Sequence, residues 1–317
     1  MIAATVFASA LLLNSLAYLH ARAMLRFSPE GLRTNAPEAL GLLDKLEVMA
    51  LGVQIPRPTD TATPRDHGLT YESREIPVTE GVTLGAWWIA HADPVGTVVL
   101  FHGYAASKST LLHQATVLHR KRYSCLLVDF RGSGESSGAD TTVGFLEAQD
   151  VRAAIQQVVG QKRSGPLLVY GQSMGGAAAL RANSLSPLAI DGLILESVFD
   201  RMLTTVKQRF YAVGIPATPL AELLTFWGGF QSGFWSFAHN PVDYASDCHV
   251  PVLMLHGTDD PRVTLNQARS VYEALAGAKS MKVFPGAKHQ SLVEFDEGEW
   301  AAALDEFTAP IANPTGH

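Results

Sequence analysis

The stretch 167-LLVYGQSMGGAAALRA-182 changes character in its middle. Residues 167–170 are a short apolar run of the kind that is buried on both faces of a parallel sheet, and the alanine-rich residues 177–182 favour helix. Between them Gly171-Gln172-Ser173-Met174-Gly175-Gly176 sets a serine among glycines. Small residues suit any tight turn between a strand and a helix. The spacing G-x-S-x-G at such a junction is also that of a nucleophile elbow, which exposes a serine hydroxyl and aims a helix N-terminus at it. The second reading makes demands on the rest of the chain, because a serine hydroxyl needs a base and the base needs an orienting acid.

Outward from this stretch the chain alternates. Apolar runs at 97–101 (TVVLF), 125–130 (CLLVDF), 192–196 (GLILE) and 250–256 (VPVLMLH) read as buried strands. Helix-length segments at 109–120, 143–159, 174–184 and 265–275 separate them, the pattern of an open α/β sheet. Upstream, YESREIPV (71–78) and VTLGAWWIA (82–90) flank a turn at Glu80-Gly81 and predict an antiparallel hairpin. No internal repeat is visible. One interval breaks the rhythm. Residues 196–251 are too many for a simple crossover and carry Phe210, Tyr211, Phe226, Trp227, Phe230, Phe234, Trp235 and Phe237. An aromatic insertion of this length is either a packing subdomain or a cap over a site. Its place after a strand whose carboxyl end faces the site favours the cap, with Phe226, Trp227 and Trp235 as substrate-contacting residues.

A chain of 317 residues with 47% hydrophobic and 17% charged residues is globular or membrane-associated rather than disordered. The net charge of −6 and the lack of a basic stripe argue against nucleic acid as a partner. Of the two cysteines, Cys125 lies within a buried strand and reads as a free core thiol.

The demands of the elbow are met in order. The elbow's partners follow it as acid, then histidine. VLMLHGTDDPRV is a strand followed by a loop with Asp259 and Asp260, and MKVFPGAKHQSL is a strand followed by a loop with His289, before a final helix at 292–307. His289 is the predicted base. Asp260 is the preferred acid, with Asp259 and then Glu196, at the end of its strand, as alternatives. For an oxyanion the predicted donors are the backbone N–H groups of Met174, directly after the serine, and Tyr104, in the loop LFHGYAASKST. Gly103 would let that loop approach a substrate; His102 is expected to position the turn rather than serve as a base and, with Gly103, to contact the substrate. GYAASKST fails as a phosphate loop because Ser107 replaces the glycine before Lys108, and GSGESSG (132–138) fails as a dinucleotide fingerprint because Ser137 occupies the third glycine position. No metal-ligand spacing is present, so neither a cofactor nor a metal is expected.

Taken together, FHGYAASKS, VDFRGSGESSG, GQSMGG, LHGTDDPRV and GAKHQSL, in this order over residues 70–308, resemble the α/β-hydrolase superfamily. They look most like membrane-anchored bacterial serine hydrolases related to monoacylglycerol lipases and serine aminopeptidases. The resemblance implies a mostly parallel eight-stranded sheet flanked by helices, with a helical cap. It implies a serine hydrolase with a Ser-Asp-His triad but does not choose a substrate. The aromatic cap and the apolar amino terminus point to carboxylic esters with apolar or lipid-like acyl groups, with amide, peptide or thioester cleavage, or a binding protein on the same fold, as rivals. The aspartate of its H-G-x-x-D-x-x-V pattern falls on Asp260, and Asp129 and Arg131 fall in a turn it uses structurally.

The amino terminus lies outside that resemblance. Residues 1–19, MIAATVFASALLLNSLAYL, carry no charge, and a membrane span needs roughly 20 apolar residues. Arg22, Arg26 and Arg33 follow the run, which points to an uncleaved anchor with the catalytic part on the cytoplasmic side. A cleaved signal peptide ending near Ala21-Arg22-Ala23, leading to a secreted or periplasmic protein, and a buried core helix are the alternatives. A second helix is predicted over 37–53, with Asn35 as its cap, before the breaker cluster IPRPTDTATPRD. The expected organisation is an anchor at 1–22, a connector at 23–66, a core at 67–198 and 249–310, and a cap at 199–248.

Overall fold

A computed structural model describes residues 1–35, 39–160 and 164–312. Two helices precede the first strand, α1 (Ile2–Leu25) and α2 (Leu42–Leu51). Then follow β1 (Glu72–Thr79), β2 (Val82–Ile89), β3 (Gly96–Phe101), α3 (Leu112–Arg120), β4 (Tyr123–Val128), α4 (Glu147–Val159), β5 (Leu167–Gln172), α5 (Met174–Leu185) and β6 (Gly192–Glu196). After β6 come α6 (Met202–Val213), α7 (Leu220–Ser232), α8 (Pro241–Ala245), β7 (Val252–Gly257), α9 (Leu265–Ala274), β8 (Lys279–Phe284), α10 (Leu292–Phe295) and α11 (Glu297–Ala312).

The eight strands form one sheet in the order β1-β2-β4-β3-β5-β6-β7-β8. The hairpin β1–β2 and the β2–β4 pairing are antiparallel, and every pairing from β4 to β8 is parallel. The order reverses around β3, which lies between β4 and β5. In open α/β sheets the crevice at the carboxyl ends of strands at such a reversal is where ligands bind. The parallel strands β3, β4, β5, β6 and β7 are buried almost throughout, which is why their sequences are continuous apolar runs rather than alternating ones. Val98, Leu100, Leu168, Ile194, Trp300 and Phe307 belong to one core cluster, each large aliphatic or aromatic side chain contributing about 1.5–3 kcal/mol by leaving water. Cys125 and Cys248 are both buried free thiols.

Four predicted helices differ from the observed ones, each for a local reason. The helix over 109–120 begins with a 3-10 turn at Lys108–Leu111, where the Lys108 N–H and ammonium are both held by Asp129. The helix over 143–159 starts at Glu147, because that buried carboxylate accepts from the N–H groups of Thr142 and Gly144 and from both threonine hydroxyls, Thr141 and Thr142. The last helix is split at Asp296, whose extended backbone ends α10 and whose Oδ1 accepts the Glu299 N–H at 3.0 Å to cap α11. The second helix starts at Leu42, with the Asp44 carboxylate accepting the Gly41 N–H at 3.1 Å, so Asn35 is not its cap. Pro37, expected in its first turn, lies outside the described residues.

The chain divides into two compact units. Residues 58–200 and 241–317 carry the sheet. Residues 1–57 and 201–240 form the other unit, in which α1 packs on α7 of the aromatic insertion. There the Trp227 Nε1–H donates to Asn14 Oδ1 at 3.1 Å, the Gln231 amide donates to the Tyr18 carbonyl at 3.0 Å, and the Tyr18 and Trp227 rings meet edge-on. Helix α1 is long and apolar enough to cross a membrane, and the sequence 21–23 lies inside it.

Candidate active site

The junction of β5 and α5 is sharp enough to force Ser173 to φ +49° and ψ −110°, a conformation that costs a non-glycine residue free energy. Its backbone is clamped on both sides: its N–H donates to the Glu196 carbonyl at 2.7 Å, and its carbonyl accepts the Ala177 N–H at 3.1 Å. The surrounding glycines are required by close approach. A Cβ on Gly171 would stand 2.6 Å from the Gly176 nitrogen, and one on Gly175 would stand 2.5 Å from the Phe101 carbonyl oxygen. Ser173 is half-buried and the first residues of α5 behind it are buried, so the N-terminal N–H groups of α5 converge beneath the hydroxyl-bearing turn.

The loops that carry the predicted acid and base leave adjacent strands. Gly257 ends β7, and a Cβ there would stand 2.3 Å from the Ala287 carbonyl oxygen, so only glycine lets the two loops touch. They are stitched together by Asp259 N–H to the Ala287 carbonyl (3.0 Å) and Gly286 N–H to Thr258 Oγ1 (2.8 Å). Asp260 Oδ2 lies 2.7 Å from His289 Nδ1, and its Oδ1 accepts the N–H groups of Arg262 (2.8 Å) and Val263 (2.9 Å). Burial would raise the Asp260 pKa, but the hydrogen bond and charge of His289 and the two N–H donors outweigh it and hold the carboxyl below its ordinary value. The carboxylate is therefore ionised at neutral pH and must accept the proton of Nδ1, which leaves Nε2 as the basic nitrogen. Asp260 is wholly buried and His289 partly exposed. Asp259, the first alternative acid, is exposed and accepts from its neighbour Thr258.

Glu196, the other alternative, is buried at the end of β6 and engaged elsewhere. Its Oε1 accepts from Gln172 Nε2 (3.0 Å) and the Leu292 N–H (3.2 Å), and its Oε2 from Trp300 Nε1 (3.3 Å). Burial pushes its carboxyl above the ordinary value against these bonds. It ties β5 and β6 to α10 and α11, which frame the His289 loop.

The loop after β3 approaches the elbow: a Cβ on Gly103 would lie 3.7 Å from Ser173 Cβ. Tyr104 follows directly, and Met174, buried, heads α5. His102 is wholly buried. Its Nε2 accepts the Phe130 N–H at 3.0 Å, so its proton sits on Nδ1 and is donated to the Gly103 carbonyl at 2.8 Å, while burial lowers its pKa. Both nitrogens are thus used to hold the turn, and the substrate-contacting role also expected of His102 has no polar atom left to serve it. Phe226, Trp227 and Trp235 belong to the other unit, where Phe226 meets both tryptophans edge-on.

One cluster was not foreseen. Lys108 is fully buried, and its ammonium lies 2.5 Å from Asp60, 2.6 Å from Asp129 and 3.0 Å from Glu135, over the Trp87 ring. Burial would lower its pKa, but the carboxylates outweigh this and hold it above the usual value. The two rejected motifs, GYAASKST and GSGESSG, are the two sides of this cluster, which braces the β3 and β4 loops. The neighbouring turn is braced by a forked pair between Arg131 and Asp150, with Nη2 to Oδ1 at 2.6 Å. Asp60, Asp129 and Glu135 could by spacing surround a metal ion, yet the Lys108 ammonium already supplies their cation.

The sequence is similar to proteins of known class. Residues 92–216 match the serine aminopeptidase family S33. An uncharacterised Mycobacterium tuberculosis protein is 29% identical over 238 residues, 74% of this chain and 77% of its own. The lysophosphatidylserine lipase ABHD12 of Danio rerio is 26% identical over 72% of this chain and 65% of its own. Among solved structures, the Pyrococcus furiosus esterase Pf2001 is 25% identical, with a TM-score of 0.68 over 81% of this chain and 97% of its own. The strand order with its reversal at β3, the strained serine after β5 and these similarities agree, and the chain belongs to the α/β-hydrolase superfamily.

Proposed function

We propose that the protein is a serine hydrolase that cleaves carboxylic esters with apolar, lipid-like acyl groups at a membrane. The observation that carries this is the 2.7 Å contact between His289 Nδ1 and Asp260, on loops at the same carboxyl edge of the parallel sheet as the turn that strains Ser173. In the proposed reaction His289 Nε2 takes the Ser173 proton as Oγ attacks the acyl carbon. Asp260 keeps the imidazole in the right tautomer and stabilises its cation. The N–H groups of Tyr104 and Met174 hold the oxyanion, each worth about 3 kcal/mol of barrier lowering. The alkoxide leaves with the proton from His289, and water, activated by the same nitrogen, hydrolyses the acyl-enzyme.

The class of substrate follows from neighbouring features. The insertion at 199–248, read as a cap, is rich in aromatic side chains, and α1 supplies a membrane anchor with the catalytic unit on the cytoplasmic side, where Arg22, Arg26 and Arg33 lie. A lysophosphatidylserine lipase and an esterase among the similar proteins support an ester of a lipid or a lipid-like acid. The similarity to serine aminopeptidases favours amide cleavage as the second reading, since the same triad serves both. Purified protein assayed on p-nitrophenyl esters of graded acyl length, and on p-nitroanilides of the same acids, tests both. Ester turnover that Ser173→Ala retains in full would overturn the serine mechanism, and turnover of anilides alone would replace the ester reading with the amide one.

A further inference from the structure

Apolar surface is unevenly distributed between the two units. Among the described residues twenty large hydrophobic side chains are exposed, and sixteen belong to residues 1–57 and 201–240. The larger unit exposes Val95, Val159, Leu185 and Phe295, each alone in its stretch of sequence. Singly exposed apolar residues need no explanation, but a concentration of them marks a surface that meets something apolar.

Helix α1 accounts for only part of this surface. Helix α2 turns Lys45 and Val48 inward and leaves Leu42, Leu46 and Met49, spaced i, i+4 and i+7 on one face, in solvent. At the other end of the unit Phe226 and Phe230 stack on α7, and Trp235 meets Phe226 edge-on, with Phe230 67% and Trp235 62% exposed. Both elements are bonded to α1 itself. His20 Nε2 lies 3.2 Å from the Met49 carbonyl, and Asn14 and Tyr18 hold α7 through Trp227 and Gln231. The exposed surface of α2 and α7 is thus continuous with the helix read as the membrane anchor. Charge divides in the same way. This unit holds eight basic and five acidic residues, a net of +3, so with −6 for the whole chain the sheet-bearing unit carries −9. A positive, apolar unit on an acidic protein fits an anionic lipid surface.

We propose that residues 1–57 and 201–240 form one bilayer-docking platform, in which the Leu42–Leu46–Met49 face of α2 and the Phe226–Phe230–Trp235 corner of α7 enter an anionic leaflet beside α1. The proposal rests on the membrane association of α1 given above and extends it to two elements that are too short to span a bilayer. Aromatic and long aliphatic side chains suit the interfacial depth, where ring edges and backbone remain close to water.

The test uses the full chain with phosphatidylcholine vesicles, with and without phosphatidylglycerol. Bimane is attached at Leu46→Cys, at Phe230→Cys and, as a control, at Leu185→Cys, the native cysteines being buried. The expected result is flotation with the vesicles, and quenching by acyl-brominated lipid at 46 and 230 but not at 185. The triple variant Leu42→Ser, Leu46→Ser, Met49→Ser should lower the partition coefficient at least tenfold, most strongly with phosphatidylglycerol present. Wild-type flotation without quenching at 46 and 230 would overturn the platform while leaving α1 as the anchor. Failure of the wild type to float would remove the membrane reading itself. A dimer abolished by the triple variant, without quenching, would assign the face to a second copy and overturn the proposal.

Discussion

Asp260 and His289 are 29 positions apart in sequence and 2.7 Å apart in space, joined Oδ2 to Nδ1 across two loops that backbone hydrogen bonds stitch together. Because Asp260 also accepts two N–H groups, its carboxylate cannot rotate away, and it selects the tautomer of His289. Asp260→Asn would present an amide that can donate where Nδ1–H must be accepted, and kcat should fall by about 10³–10⁴-fold with little change in KM. Asp259→Asn should stay within a few-fold of wild type, because its carboxylate is exposed. Glu196→Gln should retain chemistry but lower stability by about 1–3 kcal/mol, since it turns an amide N–H toward one of the donors the carboxylate now accepts. Steady-state kinetics and thermal unfolding of the three variants separate these outcomes.

The same carboxylate makes a signed prediction for pH. Its folded pKa is depressed, so its contribution to stability is fully present above the unfolded carboxylate value of about 3.9 and is lost as pH falls through the lower folded value. The stability difference between wild type and Asp260→Asn should shrink as pH falls from about 4 to 2. Chemical denaturation across that range checks it, and a difference that grows on acidification would contradict the sign.

Lys108→Met tests the buried cluster. The methionine fills much of the same volume but leaves Asp129 and Asp60 facing each other without a cation, so the cost should be about 3–5 kcal/mol, the range for breaking a buried ion pair from one side. Removing one of the carboxylates as well, in Lys108→Met, Asp129→Asn, should recover part of that loss. Urea unfolding midpoints of the single and double variants give the measurement.

What was legible in the sequence and what was not follows from the range of each interaction. Strands β3 to β7 were readable because burial on both faces makes each a local apolar run. The sharp turn at Ser173 and the loops that carry Asp260 and His289 were readable because each is a short motif placed after such a run. Lys108 was not, because its partners lie at 60, 129 and 135 and nothing near position 108 signals a buried cation. The start of α4 was missed because Glu147 looks like an ordinary helix-favouring residue, while its carboxylate in fact organises the turn before it. The pairing of α1 with α7 joins residues 213 positions apart, so in the sequence the amino-terminal helix and the insertion read as separate segments, although they form one unit.

Gly175→Ala tests the close packing behind the elbow. The new methyl carbon would stand 2.5 Å from the Phe101 carbonyl oxygen and 2.9 Å from that of His102, both rigid backbone. Relief requires the β3 end or the elbow to move, so stability should drop by about 1–3 kcal/mol and the β3 loop should shift away from Ser173. Activity should fall at least tenfold through kcat, with binding of a fluorophosphonate probe slowed in proportion. A variant with wild-type kinetics would show that the oxyanion donors do not depend on this contact.

The last prediction concerns the bond between Asn14 and Trp227. Asn14 lies near the centre of α1, and its Oδ1 accepts the indole N–H at 3.1 Å while its Nδ2 donates to the Ala10 carbonyl at 2.9 Å. Trp227→Phe keeps most of the ring contact with Tyr18 and removes the donor, and Asn14→Leu removes the acceptor. Each single variant should lose about 0.5–1.5 kcal/mol, and the double variant should lose less than their sum by about 0.5–1 kcal/mol, the coupling expected of two side chains that share a hydrogen bond. Thermal unfolding of the full chain in detergent micelles closes this cycle. Strict additivity would mean that this hydrogen bond does not hold α1 to α7, and the coupling of the amino-terminal helix to the insertion would then rest on the Gln231–Tyr18 bond and the contact of the Tyr18 ring with α7.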